Sequence, residues 1–149
     1  MLTIRPYTDE DWPAICRIHD LARPHELLGS CDPRAFVPLA EDAAYADDIH
    51  RSRKWVACAD EQVVGFAGID GDYISWLYVD PAYWGQGIGR KLLRLAVAEA
   101  GPTAYTIALI NNSAARHLYE SEGFKVVATF AGDNAGYPCT CVRLALSVP

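Results

Sequence analysis

Tyr73-Ile-Ser-Trp-Leu-Tyr-Val-Asp-Pro81 runs without a break into Ala82-Tyr-Trp-Gly-Gln-Gly-Ile-Gly-Arg-Lys-Leu-Leu93. The first half is rich in aromatic and β-branched residues and reads as a strand that Pro81 terminates, because proline has no N–H for a ladder. Three glycines at alternate positions (Gly85, Gly87, Gly89) then open an amphipathic run from Ile88 to Ala100. Glycine permits positive φ and lets backbone N–H groups approach a ligand closely. The first turn of the helix adds unpaired N–H groups and the positive end of its dipole, so this strand–loop–helix junction is suited to holding phosphate.

Two common phosphate-binding patterns do not match. A P-loop requires Gly, four residues, then Gly-Lys-Ser/Thr; here Arg90 lies five residues after Gly85, and no Ser or Thr follows Lys91. A dinucleotide fingerprint requires G-x-G-x-x-G with an acid about 20 residues on. This chain reads G-x-G-x-G and carries no acid between Glu99 and Glu120.

A second motif lies at Asn112-Ser-Ala-Ala115-Arg-His-Leu-Tyr119-Glu-Ser-Glu-Gly123-Phe124. Asn112 is a favourable N-cap and Gly123 a favourable left-handed C-terminal residue, so the segment reads as a short helix. Ala115 and Tyr119, four apart, share a face. Together the two motifs closely resemble the GNAT acetyltransferase superfamily across about the whole chain. Gly87-Ile88-Gly89 is similar to its phosphate loop, with Trp84 where Arg or Gln is usual. Asn112, Ala115, Tyr119, Gly123 and Phe124 match its Asn-x-x-Ala-x-x-x-Tyr-x-x-x-Gly-Phe signature at every spacing.

The resemblance implies an acetyl-CoA-dependent N-acetyltransferase acting on an amine acceptor by direct transfer; the rival expectation is an acyl-CoA-binding sensor without transfer. It implies that Trp84, Gly85, Gln86, Gly87, Ile88, Gly89 and Arg90 bind the pyrophosphate region. Lys91, one turn inside the helix, is a further source of charge. The end of the Tyr73 strand (Leu77, Tyr78, Val79) would pair with the pantetheine arm and supply an oxyanion donor. Asn112, Ala115 and Tyr119 would face the arm from the other side. Tyr119 is the expected catalytic acid, because acyl transfer from a thioester needs a proton for the departing thiolate. Many relatives place a glutamate base at the start of the central strand, where this chain has Tyr73. His19, His25, Glu26 and His117 are the remaining candidates, and an amine that arrives neutral would need none.

Composition narrows the partners. The length of 149 residues suits one domain, 1–149, with one core. A net charge of −6 without a polybasic block argues against nucleic acid or an anionic membrane as partner. No apolar run approaches the roughly 20 residues of a membrane span. The five cysteines (Cys16, Cys31, Cys58, Cys139, Cys141) lack framework spacing and read as reduced thiols in a cytoplasmic protein. Cys139-x-Cys141 has no second pair to complete a zinc site, so no metal is expected.

The hydrophobic periodicity predicts β-α-α-β-β-β-α-β-α-β-β. In order, it predicts a strand at Leu2–Tyr7, a helix capped by Thr8, and an irregular stretch from Arg23 to Pro38. A helix from Leu39 to Arg53 precedes a hairpin, Trp55–Ala59 with Val63–Ile69. Next come the Tyr73 strand, the helix to Ala100, a strand Tyr105–Ile110 and the Asn112 helix. The chain then closes with a hairpin, Lys125–Phe130 with Cys139–Leu146, around Gly132–Gly136. This pattern and the resemblance give an α/β fold with a mixed, mostly antiparallel sheet and helices on both faces. Specificity is expected from Asp20–Lys54, whose seven acids against five bases suit a cationic amine. The acceptor, the acyl preference beyond acetyl and the choice between monomer and homodimer are left open.

Overall fold

The computed structural model describes residues 1–146. Its strands are β1 (Leu2–Pro6), β2 (Arg53–Ala59), β3 (Gln62–Asp70), β4 (Tyr73–Val79), β5 (Tyr105–Leu109), β6 (Lys125–Asn134) and β7 (Tyr137–Ala145). Its α-helices are α1 (Trp12–Leu27), α2 (Ala43–Arg51), α3 (Ile88–Ala100) and α4 (Ser113–Ser121). The strands form one sheet in the order β1-β2-β3-β4-β5-β7-β6, antiparallel throughout except between β4 and β5.

Each face of the sheet carries its own core. Ile88, Leu92, Leu93 and Ala96 of α3 pack with Val64, Ala67, Ile74, Ala108 and Leu144 on one side. Ile15, Ile18 and Ala22 of α1 pack with Val56, Phe66, Trp76 and Tyr78 on the other. Leu92, Leu93, Ile15 and Ile18 are fully buried, and each such aliphatic side chain contributes about 1.5–3 kcal/mol of transfer free energy.

Two irregularities give the sheet its local shape. First, β3 pairs with β4 through Gly68↔Trp76 and then Ile69↔Ile74, leaving Ser75 as an extra residue. A bulge of this kind reverses which face the later side chains occupy. Ile74 accordingly packs on the α3 side, while Trp76 and Tyr78 pack on the α1 side. Second, β4 and β5 pair at one position only, Tyr73↔Tyr105, and diverge beyond it. The two tyrosine rings stack at 5.0 Å where the strands are still joined.

Several boundaries differ from the sequence expectation. α1 does not stop near Arg23 but continues through Pro24 to Leu27. An internal proline lacks the N–H that would bond the preceding turn and its ring crowds that turn's carbonyl, but the buried Ala22, Arg23 and Leu27 hold the helix together around it. The expected helix Leu39–Arg53 is divided: Leu39–Glu41 is a 3-10 turn, and the Asp42 side chain accepts from the Tyr45 amide at 3.2 Å to start α2. Arg53 already belongs to β2. β6 and β7 run past the expected loop to a two-residue turn at Ala135 and Gly136, both with positive φ (51° and 84°), the geometry of a tight hairpin. Of the hairpin segment Cys139–Leu146, Leu146 lies just beyond the strand.

Candidate active site

The divergence of β4 from β5 opens a cleft through the sheet, with a cavity on each side of it. On the α3 side lies one of about 580 Å³. The residues expected to touch the cofactor line it (Leu77, Tyr78, Val79, Trp84, Gly85, Gly87, Ile88, Gly89, Arg90, Asn112, Ala115 and Tyr119) except Gln86, which is exposed beside it. Lys91, the further source of charge, is exposed and does not line it. The sequence reading did not include Ala22, Ile107, Ala108 or Ser113, which also line it. Ile107 and Ala108 reach the cavity because β5 leaves β4, and nothing in their residue types signals that divergence.

The loop before α3 is held from below. Asp80, 6% exposed, accepts from the Ala82 amide at 3.0 Å and from Arg17 of α1 at 2.9 Å. Arg17 also donates to the Val63 carbonyl at 2.8 Å. Gly85 and Gly87 have φ of 79° and 78°, and no atom lies within 4 Å of where a Cβ would stand at either. Gly87 is the left-handed N-cap of α3, so the helix's first amides point outward with open space before them. That arrangement fits a pyrophosphate. Gly89, by contrast, lies inside the helix without positive φ, and a Cβ there would make ordinary contacts with Leu118 at 3.5 Å and Val79 at 3.8 Å. Arg90 lines the cavity but is also tethered, donating to the Ser121 hydroxyl at 3.0 Å and facing Glu122 at 3.4 Å.

At the rim, the Trp84 indole N–H donates to the Val79 carbonyl at 2.8 Å, and its ring meets His25 edge-on at 5.0 Å. The amide of Asp80 binds the Val64 carbonyl of β3 at 2.8 Å. Alternation along an extended chain therefore turns the backbone of Val79 towards the cleft. On the opposite wall, Asn112 accepts from the Ala115 amide at 3.4 Å as the N-cap of α4.

The second cavity, about 480 Å³, lies on the α1 side. Tyr45, Tyr73, Trp76 and Tyr78 give it aromatic walls, and Glu26, Asp48, Asp70 and Asp133 place four carboxylates around it, against Arg23 and Arg51. Arg51 is ion-paired with Asp48 and Arg23 with Glu26. The segment Asp20–Lys54 contributes to this cavity, as its sequence suggested. So does the β6–β7 hairpin, through Phe130, Gly132, Asp133, Asn134 and Cys141. The hairpin is fastened to α1 by the side-chain Oδ1 of Asn134, which accepts from Arg23 at 2.7 Å.

The two cavities share Glu26, Leu77, Tyr78, Ile107, Ala108 and Tyr119. Tyr119 is 6% exposed, and burial pushes its phenol pKa up, with the Thr106 hydroxyl opposing that shift. It is therefore a protonated donor at neutral pH. Of the histidines considered as bases, His19 is 2% exposed in the α1-side core and lines neither cavity. His117 is exposed on α4 and lines neither, and His25 lines only the α3-side cavity.

The model of the acetyltransferase (GNAT) domain matches residues 50–126 of the chain. The peptidyl-lysine N-acetyltransferase YjaB of Salmonella typhimurium is 33% identical over 100 residues, 66% of this chain and 68% of that protein. A GCN5-related N-acetyltransferase from Rhodopseudomonas palustris superimposes with a TM-score of 0.83 at 22% identity, over 98% of this chain and 95% of that one. The structure of yncA from Salmonella typhimurium, a putative acetyltransferase with its cofactor acetyl-CoA, matches with a TM-score of 0.70 at 26% identity, over 98% and 94% of the two chains. The chain belongs to the GNAT acetyltransferase family, and its fold is that of the family.

Proposed function

We propose that this protein transfers the acetyl group of acetyl-CoA to a cationic primary amine, and that the amine of a lysine side chain is the acceptor class. One observation carries the reading: the cavity bordered by the loop before α3 and the acidic, aromatic cavity share Tyr119 as a common wall. A thioester entering from the α3 side and an amine entering from the α1 side would come together at a single proton donor.

On this reading the amides around Gly85–Gly89 hold the pyrophosphate, and the cleft-facing backbone of Leu77 and Val79 holds the pantetheine arm. An amide at the end of β4 stabilises the developing oxyanion, and Tyr119 protonates the departing sulfur. Aromatic walls with an excess of carboxylates suit a long alkyl ammonium, through cation–π contact and charge. The similarity to a peptidyl-lysine N-acetyltransferase supports the same acceptor class.

The described residues compose one acetyltransferase domain. A reduced, cytoplasmic setting agrees with its five free cysteines and with the absence, among the described residues, of any helix long and apolar enough to cross a membrane. The test is release of free CoA thiol from acetyl-CoA with lysine peptides, polyamines and N-terminal amines offered in parallel. Turnover of the lysine peptides supports the assignment. Preference for another amine revises the acceptor, and CoA binding with no thiol release from any amine would mark a sensor.

A further inference from the structure

Building on the proposed amine transfer, we infer that Glu26 is the group that accepts the proton of the incoming amine. Among the described residues it is the sole carboxylate that lines both cavities; Asp48, Asp70 and Asp133 border the acceptor side alone. Asp48 is also held by Arg51, and Asp133 accepts from the Gly136 amide.

Its two oxygens are not equivalent. The Tyr78 hydroxyl donates to Oε1 at 2.9 Å, and Arg23 makes its ion pair with the same atom. No described residue bonds Oε2. One oxygen thus fixes the carboxylate while the other keeps its lone pairs for a ligand. Arg23 cannot readily turn onto Oε2, because its second terminal nitrogen is committed to Asn134 at 2.7 Å and its guanidinium lies over the Tyr45 ring at 5.4 Å. The negative charge of Glu26 is felt at Tyr119 and Tyr73, where it adds to the upward shift that burial imposes on both phenols. The carboxylate therefore stands within electrostatic reach of the proposed acid.

In the transfer, the ammonium of the acceptor docks against Oε2 and passes one proton to it. The freed nitrogen lone pair forms the C–N bond with the thioester carbonyl, and the C–S bond breaks as the adduct collapses. Sulfur takes the Tyr119 proton, and the phenolate recovers one from the adduct nitrogen. Glu26 releases its proton to solvent through the acceptor cavity, so one proton leaves per turnover. A carboxylate is a weak base towards a free alkyl ammonium, so only a small fraction of the docked amine is neutral at any moment, but attack on the carbonyl consumes that fraction and draws the proton transfer forward.

The experiment compares the wild-type chain with Glu26→Gln, which keeps an oxygen for Tyr78 and Arg23 but cannot take a proton. Thiol release is followed from pH 6 to 10 with a lysine peptide and with a second peptide carrying a less basic amine in its place. CoA affinity by calorimetry reports on folding and on the other cavity. Wild-type turnover establishes the transfer on which the inference rests. The variant should then lose kcat by roughly 100-fold or more at pH 7, with CoA affinity unchanged. Its residual kcat/KM should climb with pH along the acceptor's own titration, shifting between the two peptides, whereas the wild-type profile should be common to both. A variant with wild-type kcat, or one whose profile matches the wild type at uniformly lower rate, overturns the inference. So does a loss explained by a parallel loss of CoA affinity. A wild-type chain that turns over neither peptide removes the inference together with the lysine acceptor.

Discussion

The indole N–H of Trp84 donates to the carbonyl of Val79 at 2.8 Å, so a side chain of the phosphate loop reaches back to the backbone of the strand that feeds it. Val79 presents that carbonyl to the cleft where the pantetheine arm is proposed to pair, and Trp84 is half exposed. The indole therefore competes for a bonding position the arm would use. Trp84→Phe keeps the ring against His25 and removes the donor. A hydrogen bond of about 1 kcal/mol net no longer competes, so the Kd for CoA should fall by roughly fivefold. Calorimetry measures this directly, and weaker binding would instead make the indole part of the cofactor's seat.

Gly87 and Gly89 should respond differently although they lie two residues apart. Gly87→Val forces a β-branched residue to φ near 78° and projects methyl groups into the space where the phosphate is proposed to lie. CoA affinity should fall at least tenfold, about 1.4 kcal/mol, and the strain should cost a further 1–2 kcal/mol of stability, roughly. Gly89→Ala meets only ordinary contacts and improves helix propensity, so affinity and stability should stay within about 1 kcal/mol of wild type. Equal losses at both positions would contradict this placement of the loop.

For Tyr119→Phe the ring packing against Phe124, centroids 5.4 Å apart, is kept and one hydroxyl is lost. If that hydroxyl protonates the thiolate, kcat should drop by roughly 100-fold or more while CoA still binds. A change confined to KM would make Tyr119 a positioning residue.

His19 supplies a pH dependence of stability unconnected with turnover. Burial lowers its pKa, although Asp20 at 2.9 Å pulls the other way. The geometry agrees with burial prevailing. Its Nδ1 can donate to Asp20 from the neutral tautomer, Asp20 is already accepting from the Leu39 amide at 2.9 Å, and Nε2 is buried with no partner among the described residues. Arg23, Glu26, Tyr45 and Tyr78 are the charged or titratable groups around the ring. A depressed histidine pKa means that the unfolded chain binds the proton first. Stability should therefore decline as pH falls below about 6.5, with a slope of at most about 1.4 kcal/mol per pH unit. Denaturant melts from pH 5 to 8 should show this decline, and His19→Phe should flatten it.

Much of this layout is visible in the residues themselves. β4 and α3 have the bounds that Pro81 and the Ile88 periodicity indicate, and Asn112 and Gly123 bracket α4 as a cap and a left-handed terminus should. The least legible part is the acceptor side, for three local reasons. Pro24 reads as a helix stop, yet buried neighbours on both sides carry α1 through it, and that extra turn is what brings Glu26 to the cleft. The bulge at Ser75 leaves no mark in an already apolar strand, yet it decides that Trp76 and Tyr78 face the acceptor. The reach of the β6–β7 hairpin over α1 depends on Asn134 meeting a residue 111 positions away, a pairing with no local signature.

The parting of β4 and β5 also bears on how the chain avoids its own kind. A strand with unpaired N–H and C=O groups invites another strand to add to it, and at the rim of a sheet that invitation leads to aggregation. Here the unpaired stretch of β4 is an interior edge, walled by α3 and α4 on one side and by α1 and the hairpin on the other. The pantetheine arm proposed to lie there is slender and flexible and carries amides along its length. On the proposed reading the arm takes the place of one rung of a β-ladder, at an edge that the surrounding elements screen.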